Sequence, residues 1–303
     1  MDIFKDLYTV WARFWDSRER DPQYSVFTHE FPDFSLPVRR ALPDVPPRVA
    51  ILTPCKDAES DLDRYFGLID ALDYPKDKLH LRLLEGDSTD ATYARAADML
   101  AARPAHYASS DLIKLDLDLA LRRDRRTQKG VQRERRAGIA ACRNRLLQAG
   151  LETNARFFLF IDVDMAVIPP ETLKRALEWD APILVANCLR FDEEKIFDRN
   201  SFLYTRPVSD RMARRFVRDG IYQPPTGFFR HYPAQDSPHG IEPLHAVGGT
   251  YLLIRRDVIE AGADFPEVPY QLHIETEGFA LKAAGLGFGA FMPPRLIVRH
   301  GPN

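Results

Sequence analysis

Cysteine is scarce in this chain. Cys55, Cys142 and Cys188 are odd in number and far apart, and no two form a CxxC pair. That argues against a disulfide frame or a cysteine zinc site and leaves reduced, partly buried thiols. Long apolar runs are missing as well. No stretch approaches the roughly 20 residues a membrane-crossing helix needs, and charges interrupt the first residues where a secretory signal would carry its apolar core. Nor does charge of one sign dominate: 42 Lys and Arg against 44 Asp and Glu give a formal net charge of -2 and no global positive field to draw nucleic acid. There is no internal repeat and no low-complexity tract. The turn "LTPCKDAES" after the first apolar run has no glycine, which removes the glycine-rich nucleotide loop of a sugar-nucleotide pyrophosphorylase.

Aromatic residues are plentiful from the first line. Ile3, Phe4, Leu7, Tyr8, Trp11, Phe14 and Trp15 share one broad face at helical period. Such a helix can dock on the core or on a second copy in a homo-oligomer. It can also lie on a membrane surface, because Lys5, Arg13 and Arg18 flank the rings. A proline-rich connector, Pro32 to Pro47, cannot be regular helix or central strand. Residues 1–46 are therefore expected to form an N-terminal extension, and residues 47–303 a catalytic domain.

From Arg48 the pattern alternates. "RVAILTP" reads as a buried strand stopped by Pro54, "ESDLDRYFGLIDAL" as a helix, and "LHLRLLEGDSTD" as a strand ending in a polar turn. "ATYARAADMLAAR" reads as a helix, "DLIKLDLDLAL" as a half-exposed strand, "RAGIAACRNRLLQAGL" as a helix and "RFFLFIDVD" as a buried strand. This order predicts an α/β fold with a mostly parallel, Rossmann-type sheet flanked by helices. Ligands of such sheets bind beyond the C-terminal strand ends. "TPCKD", "EGDSTD" and the Asp162–Val163–Asp164 tripeptide all fall at such ends.

Two carboxylates one residue apart at a buried strand end carry a cost unless something compensates their charge. A divalent cation does so, and Mg²⁺ or Mn²⁺ sites commonly combine one or two carboxylates with phosphate oxygens of the substrate. A second Asp-x-Asp, Asp116 and Asp118, lies in the alternating segment with both residues on one face and reads as a solvated face. Phosphatases of the haloacid dehalogenase type also place Asp-x-Asp after an apolar strand. They carry Thr or Val two residues after the second Asp, where this chain has Ala166, and their motif comes earlier in the chain.

Six segments taken in order resemble a known family. They are "ILTPCKDAESDLDRYFGLIDALDYP", "EGDSTDAT", "ACRNRLL", "FIDVDMAVIPPETL", "AVGGTYLL" and "IETEGFALKAAGLGFGAF" followed by "VRH". The set is similar to glycosyltransferase family 62, the fungal mannan-polymerase α-1,6-mannosyltransferases, over roughly Arg48 to His300. The resemblance implies a GT-A-like fold and metal-dependent, retaining transfer of α-mannosyl from GDP-mannose to a glycan or glycolipid acceptor, with Mn²⁺ or Mg²⁺ as cofactor. It implies that Asp162 and Asp164 are the metal-binding DxD pair and that His300 completes the metal site. It places Thr53, Pro54, Asp57 and Asp87 along the base and ribose. Asp87 and Asp90 also suit a turn or a helix N-cap. Arg143, next to Asn144 on the helix before the DxD strand, is expected near the donor phosphates by bidentate pairing, with a plain helix-surface role as the alternative.

"HIETEGF" contributes Glu275 and Glu277, expected on the acceptor side near the anomeric carbon, with Glu275 at a strand-to-helix junction and Glu277 on the helix. One of them acts as nucleophile or steadies an oxocarbenium-like centre; the alternative is a first helical turn enriched in acids for dipole reasons. The basic run Arg122 to Arg136 reads as a solvated loop or as a contact to an anionic acceptor. The stretch Asp219 to Gly240, rich in rings, Pro and Gly, reads as an acceptor-side loop or an ordinary excursion. Family members carry an N-terminal membrane anchor, whereas this chain starts with the amphipathic segment. A cytoplasmic setting, with peripheral contact at the inner membrane face, is the expectation. A non-catalytic nucleotide-binding subunit of a glycosyltransferase complex is the alternative function.

Overall fold

The computed structural model describes residues 35–117, 132–206, 208–233, 237 and 239–301. The amphipathic segment over residues 1–20, Asp118, most of the basic run and part of the 219–240 stretch lie outside the described residues.

The first half of the domain alternates as the sequence pattern requires. Strand β1 (Val49–Cys55) leads to helix α1 (Leu62–Asp70), β2 (Leu79–Glu85), α2 (Thr92–Ala101), β3 (Ser109–Lys114), α3 (Gln132–Leu151) and β4 (Phe157–Ile161). Then come β5 (Met165–Val167), α4 (Thr172–Leu177), β6 (Ile183–Val185) and β7 (Asn187–Arg190). Residues 202–231 hold two small antiparallel pairs, β8 (Leu203–Tyr204) with a later strand and β9 (Val217–Arg218) with β10 (Ile221–Tyr222), around α5 (Asp210–Arg214). The partner of β8 is β11 (Arg230–His231). The chain finishes through β12 (Glu242–Leu244), β13 (Tyr251–Arg255), α6 (Arg256–Glu260), α7 (Glu275–Gly285), β14 (Ala290–Met292) and β15 (Ile297–His300).

Eight strands make the central sheet, in the order β12-β14-β6-β13-β4-β1-β2-β3. β3, β2, β1 and β4 run parallel, β14 is parallel to β6, and β13 and β12 run against their neighbours. The sheet is thus mostly parallel and has helices on both faces. Alternation along β1 sends Val49 and Ile51 to the face covered by α1, α2 and α4, and Ala50 and Leu52 to the face covered by α3 and α7. β4 is buried at all five positions. At about 1.5–3 kcal/mol for each large side chain buried, this strand anchors both layers. A third apolar cluster, with Phe202, Tyr204, Tyr222 and Phe229, is the separate small core of residues 202–246. Among the described residues no helix is long and apolar enough to cross a membrane.

Three expectations shift. β1 does not stop at Pro54 but runs to Cys55. β4 pairs only with Val49–Leu52, while the Cys55 carbonyl accepts from Gly86 on the β2 side. Pro54, one residue earlier, therefore points to the side left open, where its missing N–H costs no ladder bond. The half-exposed strand ends at Lys114 rather than continuing through "LDLDLAL". Leu115 N–H still donates to the Glu85 carbonyl, but Leu117 N–H donates to the Asp87 carboxylate at 2.9 Å, so a side chain replaces the ladder. Glu275 does not follow a strand: it is the first residue of α7, so both acids are on the helix, and an isolated bridge between Tyr270 and His273 precedes it.

Candidate active site

The opening turns are built by their own acids. Asp57 and Asp87 both have left-handed backbones, φ 49° and 55°, a conformation aspartate tolerates better than most residues. The Asp57 carboxylate accepts from Thr89 N–H at 2.8 Å and from its hydroxyl at 3.1 Å, which joins the turn after β1 to the turn after β2. Asp87 faces Lys56 at 3.9 Å in addition to Leu117. Asp90 bonds Thr92 N–H at 3.0 Å, so it works as a helix-entry residue. Thr53 is fully buried, and its hydroxyl pairs with Tyr65 at 2.7 Å inside the core. Pro54 is half-buried.

At the end of β4, two long-range pairings bring together two carboxylates and a histidine, a candidate metal-ligand group. The short sheet β5-β15-β7 places His300 opposite Met165. Gly301 N–H donates to the Asp164 carbonyl at 3.0 Å, and a Cβ on Gly301 would lie 2.7 Å from that oxygen, so the approach needs glycine. His300 stacks on Phe197, with ring centroids 3.7 Å apart and planes 12° from parallel. Its Nδ1 lies 3.0 Å from the Gly301 carbonyl, which can only accept, so Nδ1 carries the proton and Nε2 turns to Asp164 Oδ1 at 3.0 Å. Asp162, Asp164 and His300 each offer a ligand atom, all within 4.8 Å of one another. The two carboxylates suit Mn²⁺ or Mg²⁺, and the imidazole, oriented by a carbonyl, favours the transition metal Mn²⁺ over Mg²⁺.

The charges agree with that fit. Burial pushes Asp162 up to about 6; Arg143 opposes this, and Asp164 reinforces it. Burial also works against ionised Asp164, but the hydrogen bond and charge of His300 hold it below the usual carboxylate range. Burial likewise disfavours charged His300, and the bond to Asp164 lifts it above the ordinary histidine value. A cation would relieve the raised Asp162 and replace the His300 proton.

Arg143 sits behind this corner. It is 5% exposed, its guanidinium lies 5.0 Å from the Phe160 ring and 5.6 Å from the Phe265 ring, and one nitrogen is 3.3 Å from Asp162 Oδ1. Its immediate anionic partner is Asp162. Asn144 clamps Phe265, accepting its N–H at 2.9 Å and donating to its carbonyl at 2.8 Å. Arg143 and Arg136 are seven residues apart on α3, about 10 Å and two turns along one face. Arg136 reaches Glu275 Oε1 at 3.0 Å, so α3 spans the two halves of the site.

Glu275 and Glu277 are buried in the first turn of α7. Glu275 Oε2 has no hydrogen-bond partner. Glu277 Oε1 is 3.3 Å from Arg230 on β11. Burial pushes Glu277 up to about 7, against the pull of Arg230 and Arg136.

Arg230 and Asp198 escaped the sequence reading. Asp198 is buried, accepts from the Thr250 hydroxyl at 3.1 Å, and adds its charge to the environments of both Asp162 and Glu277. The "GGT" turn makes room: a Cβ on Gly248 would fall 1.7 Å from Asp198 Oδ2, and one on Gly249 2.3 Å from Arg143. The paired glycines marked a close approach; nothing local marked Asp198 or Arg230.

Known proteins share this arrangement of elements. The Anp1 family model matches residues 44–269. The mannan polymerase complex subunit mnn9 of Schizosaccharomyces pombe is 29% identical over 256 residues, 78% of this chain and 76% of that protein. The mannan polymerase II complex anp1 subunit of the same yeast is 25% identical over 275 residues, 84% of this chain and 64% of that protein. Among solved structures, the mannosyltransferase PcManGT from Pyrobaculum calidifontis, in complex with GDP-Man and Mn²⁺, superposes with a TM-score of 0.53 at 18% identity, over 88% of this chain and 60% of that one. S. aureus TarS in complex with UDP-GlcNAc gives 0.52 at 14% identity, over 84% of this chain and 59% of that one. The structural likenesses show a GT-A-like fold, and the family match shows that this chain belongs to the Anp1 family.

Proposed function

We propose that the chain is a metal-dependent, retaining glycosyltransferase that transfers α-mannosyl from GDP-mannose to a glycan or glycolipid acceptor. The observation that carries this is the Asp162–Asp164–His300 ligand set at a parallel strand end of a GT-A-like sheet. The mannosyltransferase whose structure was solved with GDP-Man and Mn²⁺ shares that fold.

In this reading Asp162, Asp164 and His300 would hold Mn²⁺ or Mg²⁺, which would supply Lewis-acid neutralisation of the diphosphate leaving group. Arg143 orients Asp162 and adds positive charge behind it. The turns at Pro54, Asp57 and Asp87 line the base and ribose, with Thr53 supporting the first turn from the core. Glu275 and Glu277 are assigned to the acceptor side of the transferred sugar, where the buried, unpartnered Glu275 oxygen has a lone pair that no donor among the described residues uses.

A second reading has one observation in its favour: the yeast relatives are named as subunits of complexes. A non-catalytic subunit would keep the nucleotide pocket without turnover. Calorimetric titration with GDP, UDP and CDP, with and without Mn²⁺, followed by incubation with GDP-mannose and candidate acceptors, separates the two. Mn²⁺-dependent GDP binding with transfer supports the enzyme. GDP binding without transfer supports the subunit, and preference for UDP or CDP overturns the donor.

A further inference from the structure

We infer that Arg230 is a positioning residue for Glu277: it docks the β8–β11 hairpin onto the first turn of α7 and holds the Glu277 carboxylate in place on the acceptor side of the site. The inference rests on the proposed function for its activity readout and on geometry alone for the rest.

Arg230 is nearly buried, with its side chain 10% exposed. Its guanidinium lies 3.9 Å from the Phe202 ring, 5.6 Å from Tyr222 and 5.9 Å from Tyr204. Aromatic rings flank the cation, and its Nη1 donates to Glu277 Oε1 at 3.3 Å. A second tie joins the same parts: Tyr204, the register partner of Arg230, shares a 2.7 Å hydrogen bond with His273 Nε2, two residues before α7. The backbone on both sides is in the left-handed region at large residues: Phe229 at φ 54° before Arg230, and Gln271 and Leu272 at 48° and 64° before α7. Such conformations persist where surrounding structure over-determines them, and they cluster at sites that need preorganised side chains.

The charges facing Glu277 define what Arg230 does. From α7 comes Glu275, from the loop after β7 Asp198, from α3 Arg136, and from the hairpins Arg230 with Tyr204, Tyr222 and Tyr232. Arg136 is hydrogen-bonded to Glu275. Without Arg230, Glu277 would stand beside two other acids with no cation hydrogen-bonded to it. Its affinity for a proton, already raised by burial, would rise further without the opposing pull of Arg230, and its side chain would lose its tether.

The test uses the full chain and the variants Arg230→Gln, Arg230→Lys and Glu277→Gln. Carboxyl-labelled glutamate observed by NMR reports the Glu277 midpoint, assigned by the signal lost in Glu277→Gln. Arg230→Gln should raise that midpoint by more than one pH unit and lower kcat at pH 7 at least tenfold, with partial recovery at higher pH. Mn²⁺-dependent GDP binding should stay within twofold of the parent. Arg230→Lys, which keeps the charge but not the planar stacking, should raise the midpoint by a smaller amount, and it carries the test should Arg230→Gln not fold. An unmoved midpoint in a folded Arg230 variant overturns the inference. So does a kcat–pH profile superimposable on the parent. If the parent transfers no sugar, the midpoint still decides Arg230, while the proposed function fails separately.

Discussion

At the end of β4, Asp162 and Asp164 face one buried arginine and one histidine; at the start of α7, Glu275 and Glu277 each have an arginine of their own. Both corners gather acids near one mouth of the sheet, and Asp198 adds its charge to both. The first pairs its acids with Arg143 and with the imidazole of His300, and it arranges ligand atoms of Asp162, Asp164 and His300 within 4.8 Å. The second neutralises its acids with guanidinium groups, which are donors only and have no lone pair for a metal. Carboxylate count alone therefore does not make a metal site. What distinguishes a candidate metal corner is a partner that can give up its proton and become a ligand, as imidazole can and guanidinium cannot.

Three changes sharpen that contrast. The largest effect is expected for Asp164→Ala: Mn²⁺-dependent GDP binding and transfer should fall by about 100-fold or more, since a directly bound ligand is lost. The fold should persist, because this side chain is 46% exposed, with only a modest fall in melting temperature from the lost pairing with His300. Calorimetry that shows parent-like GDP binding would remove Asp164 from the metal site. His300→Ala comes next, with Mn²⁺ affinity down about tenfold or more and a weaker dependence on pH. Mn²⁺ must displace the His300 proton, so parent affinity should climb as pH rises through the elevated histidine value. Identical metal titrations for parent and variant would return His300 to a purely structural place.

The smallest effect is on stability, and its direction differs among the acids: Glu277 and Asp162 are raised, whereas Asp164 is lowered. Glu277 titrates near 7 in the fold against 4.5 ordinarily, so between those values the folded chain holds a proton that the unfolded chain has released. Stability from this group is fully present below about 4.5 and is lost as pH rises through 7, to the extent of roughly 3 kcal/mol. Asp164 behaves oppositely: its stabilisation is present above 3.8 and lost as pH falls through its lower folded value. The His300 side of that pair contributes fully below 6.5 and is lost as pH rises through the raised folded value. Thermal melts between pH 4.5 and 7.5 should decline more steeply for the parent than for Glu277→Gln. Equal slopes would mean that Glu277 is ionised across that range.

Much of the scaffold was legible in the residues. Five apolar positions before Asp162, and the strand–helix alternation before them, announced the parallel sheet and the strand end that bears the carboxylates. His300 was legible only through family resemblance; its place beside Asp164 depends on β15 pairing with β5, more than 130 positions earlier in the chain. The alternation of "LDLDLAL" overstated β3 because a carboxylate, Asp87, took over the ladder. Arg143 was expected near the donor phosphates; its direct partner, Asp162, could not be read locally, because the rings of Phe160 and Phe265 that flank it come from distant segments. Residues 202–231 gave no periodic signal, since their strands are two residues long and their cluster closes on itself.

Periodicity and residue chemistry act over a few neighbours. They are enough to specify which segments are buried strands, which helices cover them, and that Asp162, Asp164, Glu275 and Glu277 stand at element ends. Charge balance acts through space. Whether an acid meets a histidine, an arginine or another acid was settled by pairings between segments far apart in the chain, because the desolvation that sets each group's charge depends on everything packed around it.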